Sequence, residues 1–132
     1  MKIFQIIRAY FIISTFISCR ASNYSSNKLV SPSKKYYLIV TVNRNNKSQN
    51  NYGVIMLNLY DSNGSFSSIL NTTAGDFNKW NVGWDKKYDT AILYSSDIGN
   101  SAWKIENNRL IPVNLNEELN KRADELKKEK YN

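Results

Sequence analysis

The chain has 132 residues, enough for one hydrophobic core and too few for two stable ones. Its formal charge of +7 comes from lysines scattered along the chain, which argues against a nucleic-acid-binding surface. With no histidine and one cysteine, a Ser-His-Asp or Cys-His catalytic pair, an internal disulfide and any metal site built on His and Cys are excluded, and no cofactor is expected.

Residues 1–18 have the layout of an export signal: Lys2 and Arg8 supply the positive start, Ala9 to Ile17 the apolar run, and Ser18 a small residue before Cys19. The apolar run is shorter than the ~20 residues that span a bilayer, so the segment reads as a leader rather than a permanent membrane helix. Phe16-Ile17-Ser18-Cys19 resembles the lipobox of bacterial lipoproteins, with Phe16 where that family usually carries leucine. The resemblance covers the first 19 residues only. It implies that Cys19 is lipidated and becomes the new N-terminus, so that the protein is held on a membrane by acyl chains such as palmitate. It also implies the outer membrane of a diderm bacterium, because Arg20 is not the aspartate associated with inner-membrane retention. Cleavage after Ala21 is the alternative, and it would discard the cysteine.

Residues 19–33 are expected to be the lipidated cysteine and a flexible tether, since Arg20 to Ser33 is rich in Ser and Asn and lacks periodicity. Leu29 and Val30 are able to pair as a short edge strand. The folded domain is expected over 34–132. Within it, Tyr36 to Asn43 predicts a strand with Tyr36, Leu38, Val40 and Val42 on one face and Tyr37, Ile39 and Thr41 on the other. After a polar loop from Arg44 to Asn51, Tyr52 to Tyr60 predicts a second, central strand with Ile55, Leu57 and Leu59 sharing a face. Asp61-Ser62-Asn63-Gly64 is a hairpin signal, since Asn-Gly accepts the positive φ of a tight reversal; a calcium loop would place its glycine later and close on a glutamate.

Phe66 to Leu70 predicts a third strand, Asn71 to Asp76 a turn, and Phe77 to Trp84 a fourth strand with Trp80, Val82 and Trp84 on one face. Thr90 to Ser95, Ala102 to Glu106 and Arg109 to Val113 follow, separated by turns at Asp85-Lys86-Lys87, Ser96 to Asn100 and Asn107-Asn108. The fold class is therefore mainly β: a small antiparallel meander or sandwich of about six to seven strands, closed by a C-terminal helix over 115–130. Asn114 with Glu117 has the spacing of a capping box, and Leu115, Leu119, Ala123 and Leu126 form a narrow apolar stripe. Glu117/Lys121, Glu118/Arg122 and Asp124/Lys128 are acid-first pairs at i, i+4.

An internal echo joins Ser31-Pro32-Ser33-Lys34-Lys35-Tyr36 to Trp84-Asp85-Lys86-Lys87-Tyr88, each leading into an apolar strand. Both stretches resemble the turn that opens strands of β-propeller blades. A complete propeller needs about four blades or more, and this chain has room for about two.

Asp76, Asp85, Asp89 and Asp97 lie among Trp80, Trp84, Tyr94 and Trp103, the mixture of carboxylates and aromatic platforms found in carbohydrate-binding and glycoside-hydrolysing clefts. Against a catalytic pair, Asp85 and Asp97 fall at predicted turns, where aspartate is favoured for local backbone bonds. At least two of the three tryptophans are expected in the core. Any left exposed would mark a binding face, for which the candidates are Trp80, Trp84, Tyr88 and Trp103. The sequence thus favours a non-catalytic, lipid-anchored envelope protein whose domain binds a protein partner, immunity or inhibitor lipoproteins being one version. The alternative is a carbohydrate-binding or hydrolytic envelope protein using 76–103.

Overall fold

The computed structural model describes residues 24–44 and 52–132. The expected export signal, Cys19 and its successors to Asn23, and residues 45–51 of the expected polar loop lie outside the described residues. Eight strands and one helix follow in the order β1 (Leu29–Val30), β2 (Tyr36–Asn43), β3 (Val54–Asp61), β4 (Phe66–Gly75), β5 (Trp80–Trp84), β6 (Thr90–Ser95), β7 (Ser101–Glu106), β8 (Arg109–Val113) and α1 (Glu117–Tyr131). They form two four-stranded antiparallel sheets, β1-β2-β3-β4 and β5-β6-β7-β8, each a simple up-and-down meander. The fold is mainly β with a C-terminal helix.

The alternation read from β2, β3 and β5 decides how the sheets meet. Leu38, Val40 and Val42 of β2 and Ile55, Leu57 and Leu59 of β3 face Trp80, Val82, Trp84, Ala91, Leu93, Trp103 and Leu110 of the second sheet in one buried cluster. β1 lies against β5 and β4 against β8, so the two sheets stack with corresponding strands over one another. The three tryptophans supply much of the interior between them, which is how a small sandwich buries enough apolar area to fold. The helix forms the third layer, placing Ala123 and Leu126 on Ile92 and Ala102 of the second sheet, with Leu119, Tyr94 and Val113 around them.

The echoed turns open β2 and β6, the second strand of each sheet. They also touch: the backbone N–H and hydroxyl of Ser33 both donate to the Asp89 carboxylate.

Besides shifts of one or two residues at the ends of β3 and β7, four boundaries differ from expectation, each for a local reason. Residues 24–33, expected as tether, belong to the fold. Ser25 bridges Thr41, the Ser26 N–H donates to the Val40 carbonyl, and β1 pairs with β2. The expected turn at Asn71 to Asp76 is largely the end of β4. The Thr72 hydroxyl donates to the Ile55 carbonyl, and Thr73, at φ 64°, absorbs a bulge that leaves the strand paired to Gly75. The fourth strand consequently starts at Trp80 rather than Phe77. The helix is capped by Asn116, whose side chain accepts the Leu119 N–H at 2.8 Å, not by Asn114, so Leu115 lies outside it and is exposed. In place of the expected pairs, Arg122 bridges Glu125 and Glu129, and Glu125 also meets Lys86.

Candidate binding face

Trp80, Trp84 and Trp103 are each 6 to 7% exposed and belong to the inter-sheet core. Tyr88 alone of the four candidates is open, at 61%, in the turn between β5 and β6. The structure does not bring these residues together as a surface. Trp84 is further fixed by its indole N–H, which donates to the Leu29 carbonyl at 2.8 Å. Trp80 is clasped by the helix end: its N–H donates to the Tyr131 hydroxyl, its carbonyl accepts from Tyr131 and Lys130, and the Lys130 ammonium lies 3.6 Å from its ring centroid.

The aspartates of the same region serve the backbone. Asp85 accepts the N–H groups of Lys87 and Tyr88, Asp97 that of Gly75, and Asp89 that of Ser33. Asp76 accepts the Gly53 N–H at 2.8 Å and pairs with Arg44 at 2.6 Å. Each carboxylate therefore holds a turn or a loop base, the use expected of aspartate at such positions. Among the described residues, no group of three or more His, Cys, Asp or Glu is placed to hold a metal ion, and no helix is long and apolar enough to cross a membrane.

The outer face of the first sheet is where exposed apolar side chains gather, around a buried Tyr37. Strand register sets Val30 beside Tyr37, Tyr37 beside Tyr60 and Tyr60 beside Phe66, a row that crosses all four strands. Tyr37 and Tyr60 stack with centroids 5.0 Å apart and planes 4° from parallel, and Phe66 meets Tyr60 edge-on at 5.6 Å. Lys28 lies 4.7 Å above the Tyr37 ring. The next row sets Ile39 beside Asn58 and Asn58 beside Ile69, and the Asn58 amide donates to the Ile39 carbonyl and the Thr41 hydroxyl. Val30, Phe66 and Ile69 are exposed, while Ile39, Met56 and Tyr60 are half-buried. At the β4 side the face runs into an open groove of about 500 Å³ against Arg109 and Ile111 of β8.

This arrangement offers a flat apolar-aromatic platform with scattered hydrogen-bonding groups, suited to burying a partner's surface. It holds no nucleophile-base pair. Sequence reading assigned Tyr37, Ile39 and Thr41 to a second face of β2 but gave no reason to single that face out. Four sheet faces and one helix leave a face open, and which one emerges only from the topology.

Comparison with protein-family models, with curated proteins and with solved structures finds no match.

Proposed function

We propose that this chain is a lipid-anchored envelope protein of a diderm bacterium, held through Cys19 in the outer membrane, and that its domain is a non-catalytic module binding a protein partner through the outer face of the first sheet. The observation that carries the reading is the unequal cover of the two outer sheet faces. The helix covers the outer face of the second sheet, whereas the outer face of the first keeps Val30, Phe66 and Ile69 in solvent beside a stacked tyrosine pair. Exposed apolar residues gathered on one face favour a contact surface over a solvated one. The engagement of all four aspartates of 76–103 by backbone donors, and the burial of the three tryptophans, favour this over a carbohydrate-processing cleft.

Two measurements test the two halves. Cys19→Ala should abolish metabolic labelling by palmitate and release the protein from membranes; retention of both would overturn the anchor. A photo-crosslinking phenylalanine derivative at Ile39 should give one discrete protein adduct in intact cells, and the same group at Lys128 on the outer side of the helix should not. Absence of any adduct at Ile39, or the same adducts from both sites, would overturn the binding face.

A further inference from the structure

Tyr24, the first described residue, lies at one particular end of the sandwich. Its carbonyl accepts the Val42 N–H near the end of β2, and its ring meets Trp80 edge-on at 5.5 Å. The same end carries the β2–β3, β4–β5 and β6–β7 connections. They are tied together by Asp76 on Gly53 and Arg44, by Asp97 on Gly75 and by Ser96 on the Lys79 carbonyl.

Loop ends of an antiparallel sandwich are ordinarily polar. The opposite end obeys this in Ser31 to Lys35, Asp61 to Ser65 and the Asn107-Asn108 turn, with Tyr88, 61% exposed in the β5–β6 turn, as an exception. Among the described residues the end bearing Tyr24 does not, although the polar run from Arg44 to Asn51 belongs to its β2–β3 connection. Tyr52 and Phe77 pack at 4.3 Å between centroids and still stand 51% and 48% exposed, Ile98 is 46% exposed in the β6–β7 turn, and Tyr24 is 44% exposed. Lys79 and Lys130 lie at the same end, next to Tyr131; neither makes an ion pair among the described residues, and the Lys130 ammonium, held on the Trp80 carbonyl, keeps two further N–H donors. The two carboxylates there, Asp76 and Asp97, are turned onto the chain's own donors.

Chain length adds the decisive constraint. Cys19 precedes Tyr24 by five residue steps, which reach at most about 17 Å when fully extended. A lipid on Cys19 would therefore keep this end within about 17 Å of the headgroups.

We propose that the end of the sandwich carrying Tyr24, Tyr52, Phe77 and Ile98 rests on the bilayer, with these side chains at the boundary between headgroups and acyl chains and with Lys79 and Lys130 on anionic lipid phosphates. Tyrosine is favoured at that boundary because its ring is apolar and its hydroxyl stays wet; Phe77 and Ile98 supply the apolar burial. The contact fixes the domain's orientation and leaves the outer face of the first sheet running away from the membrane, open to a partner. It rests on lipidation of Cys19 to bring this end to the surface.

The test uses the full chain, reconstituted with its anchor into vesicles of phosphatidylethanolamine and phosphatidylglycerol that carry bromine on the upper acyl chain. Phe77→Trp should be quenched above the level of the parent's own tryptophans, by about twofold or more relative to Tyr88→Trp at the opposite end. Exchanging phosphatidylglycerol for phosphatidylcholine should reduce the difference. Co-flotation with equal quenching at both positions would overturn the membrane contact and leave the anchor standing. Failure of the parent to float, with no acyl mass on Cys19, would instead remove the anchor. In that case Phe77→Trp quenching on simple mixing with the vesicles would support the contact, and its absence would overturn it.

Discussion

The two outer faces of the sandwich differ in extent and in cover: β2, β3 and β4 run 8 to 10 residues and stay open, whereas β5 to β8 run 5 to 6 and receive the helix. Beneath the helix the second sheet presents Gly83, Ala91's neighbour Ile92, and Ala102, small or compact residues that let Ala123 and Leu126 approach closely. The first sheet presents Tyr37, Tyr60 and Phe66, which pack on one another and hold a covering element away. The helix stripe of Leu119, Ala123 and Leu126 therefore selects its landing site by shape as much as by hydrophobicity.

If the covered face contributes to stability and the open face to binding, truncations on the two should differ most. Leu126 is 2% exposed at the centre of the helix contact, and Leu126→Ala is expected to cost about 2 to 5 kcal/mol by urea denaturation, with the helix undocking first. Ile39→Ser on the open face is expected to cost about 1 kcal/mol or less. Equal losses at the two positions would erase the contrast.

The landing site itself gives the next largest effect. A Cβ at Gly83 would sit 2.5 Å from Leu126 Cδ2, closer than real contacts allow. Leu126 is packed on Ile92, Ala102 and Ala123, so it has little room to turn aside. Gly83→Ala is expected to lose about 1 to 3 kcal/mol, mostly through helix docking, and amide exchange in Glu117–Tyr131 should quicken before exchange in β2 and β3. Uniform quickening throughout the domain would show that helix and sandwich unfold as one unit.

How far this contrast could be read in the sequence depends on which force sets each feature. β2, β6 and β8 have the ends that periodicity assigned, and the inward residues of β2, β3 and β5 are those on the predicted faces, because burial on one face fixes a period of two. Where polar side chains substitute for backbone partners, composition misled. Ser26 looked like tether, yet its hydroxyl accepts the Val40 N–H; Asn71 and Thr72 looked like a turn, yet they carry β4 through a bulge. At least two of the three tryptophans were legible as core, but the open face was not, since periodicity does not record which surface a distant helix will cover. Glycine at 83 held the clue. A glycine within an otherwise bulky strand signals close approach of another element, and Gly83 interrupts Trp80 to Trp84.

The smallest expected effect concerns charge at the helix contact. Glu125 accepts from Lys86 at 3.1 Å, joining the β5–β6 turn to the helix, and from Arg122 at 3.3 Å. The hydrogen bond from Lys86 is the chief reason its carboxyl is held below the usual 4.5; burial pushes the other way, and the charges of Lys86 and Arg122 add to the lowering. A lowered folded pKa means that the stabilisation is present above 4.5 and is lost as pH falls through the lowered value. Glu125→Gln should therefore be slightly less stable than the parent near neutral pH and converge with it in acid. Added salt should shrink the neutral-pH gap, because the pair is exposed to solvent. A gap that persists unchanged in acid would assign Glu125 to packing rather than charge. A gap at neutral pH as large as that of Leu126→Ala would mean that ion pairs, and not the fit of Leu126 against Gly83 and Ile92, decide which face the helix covers.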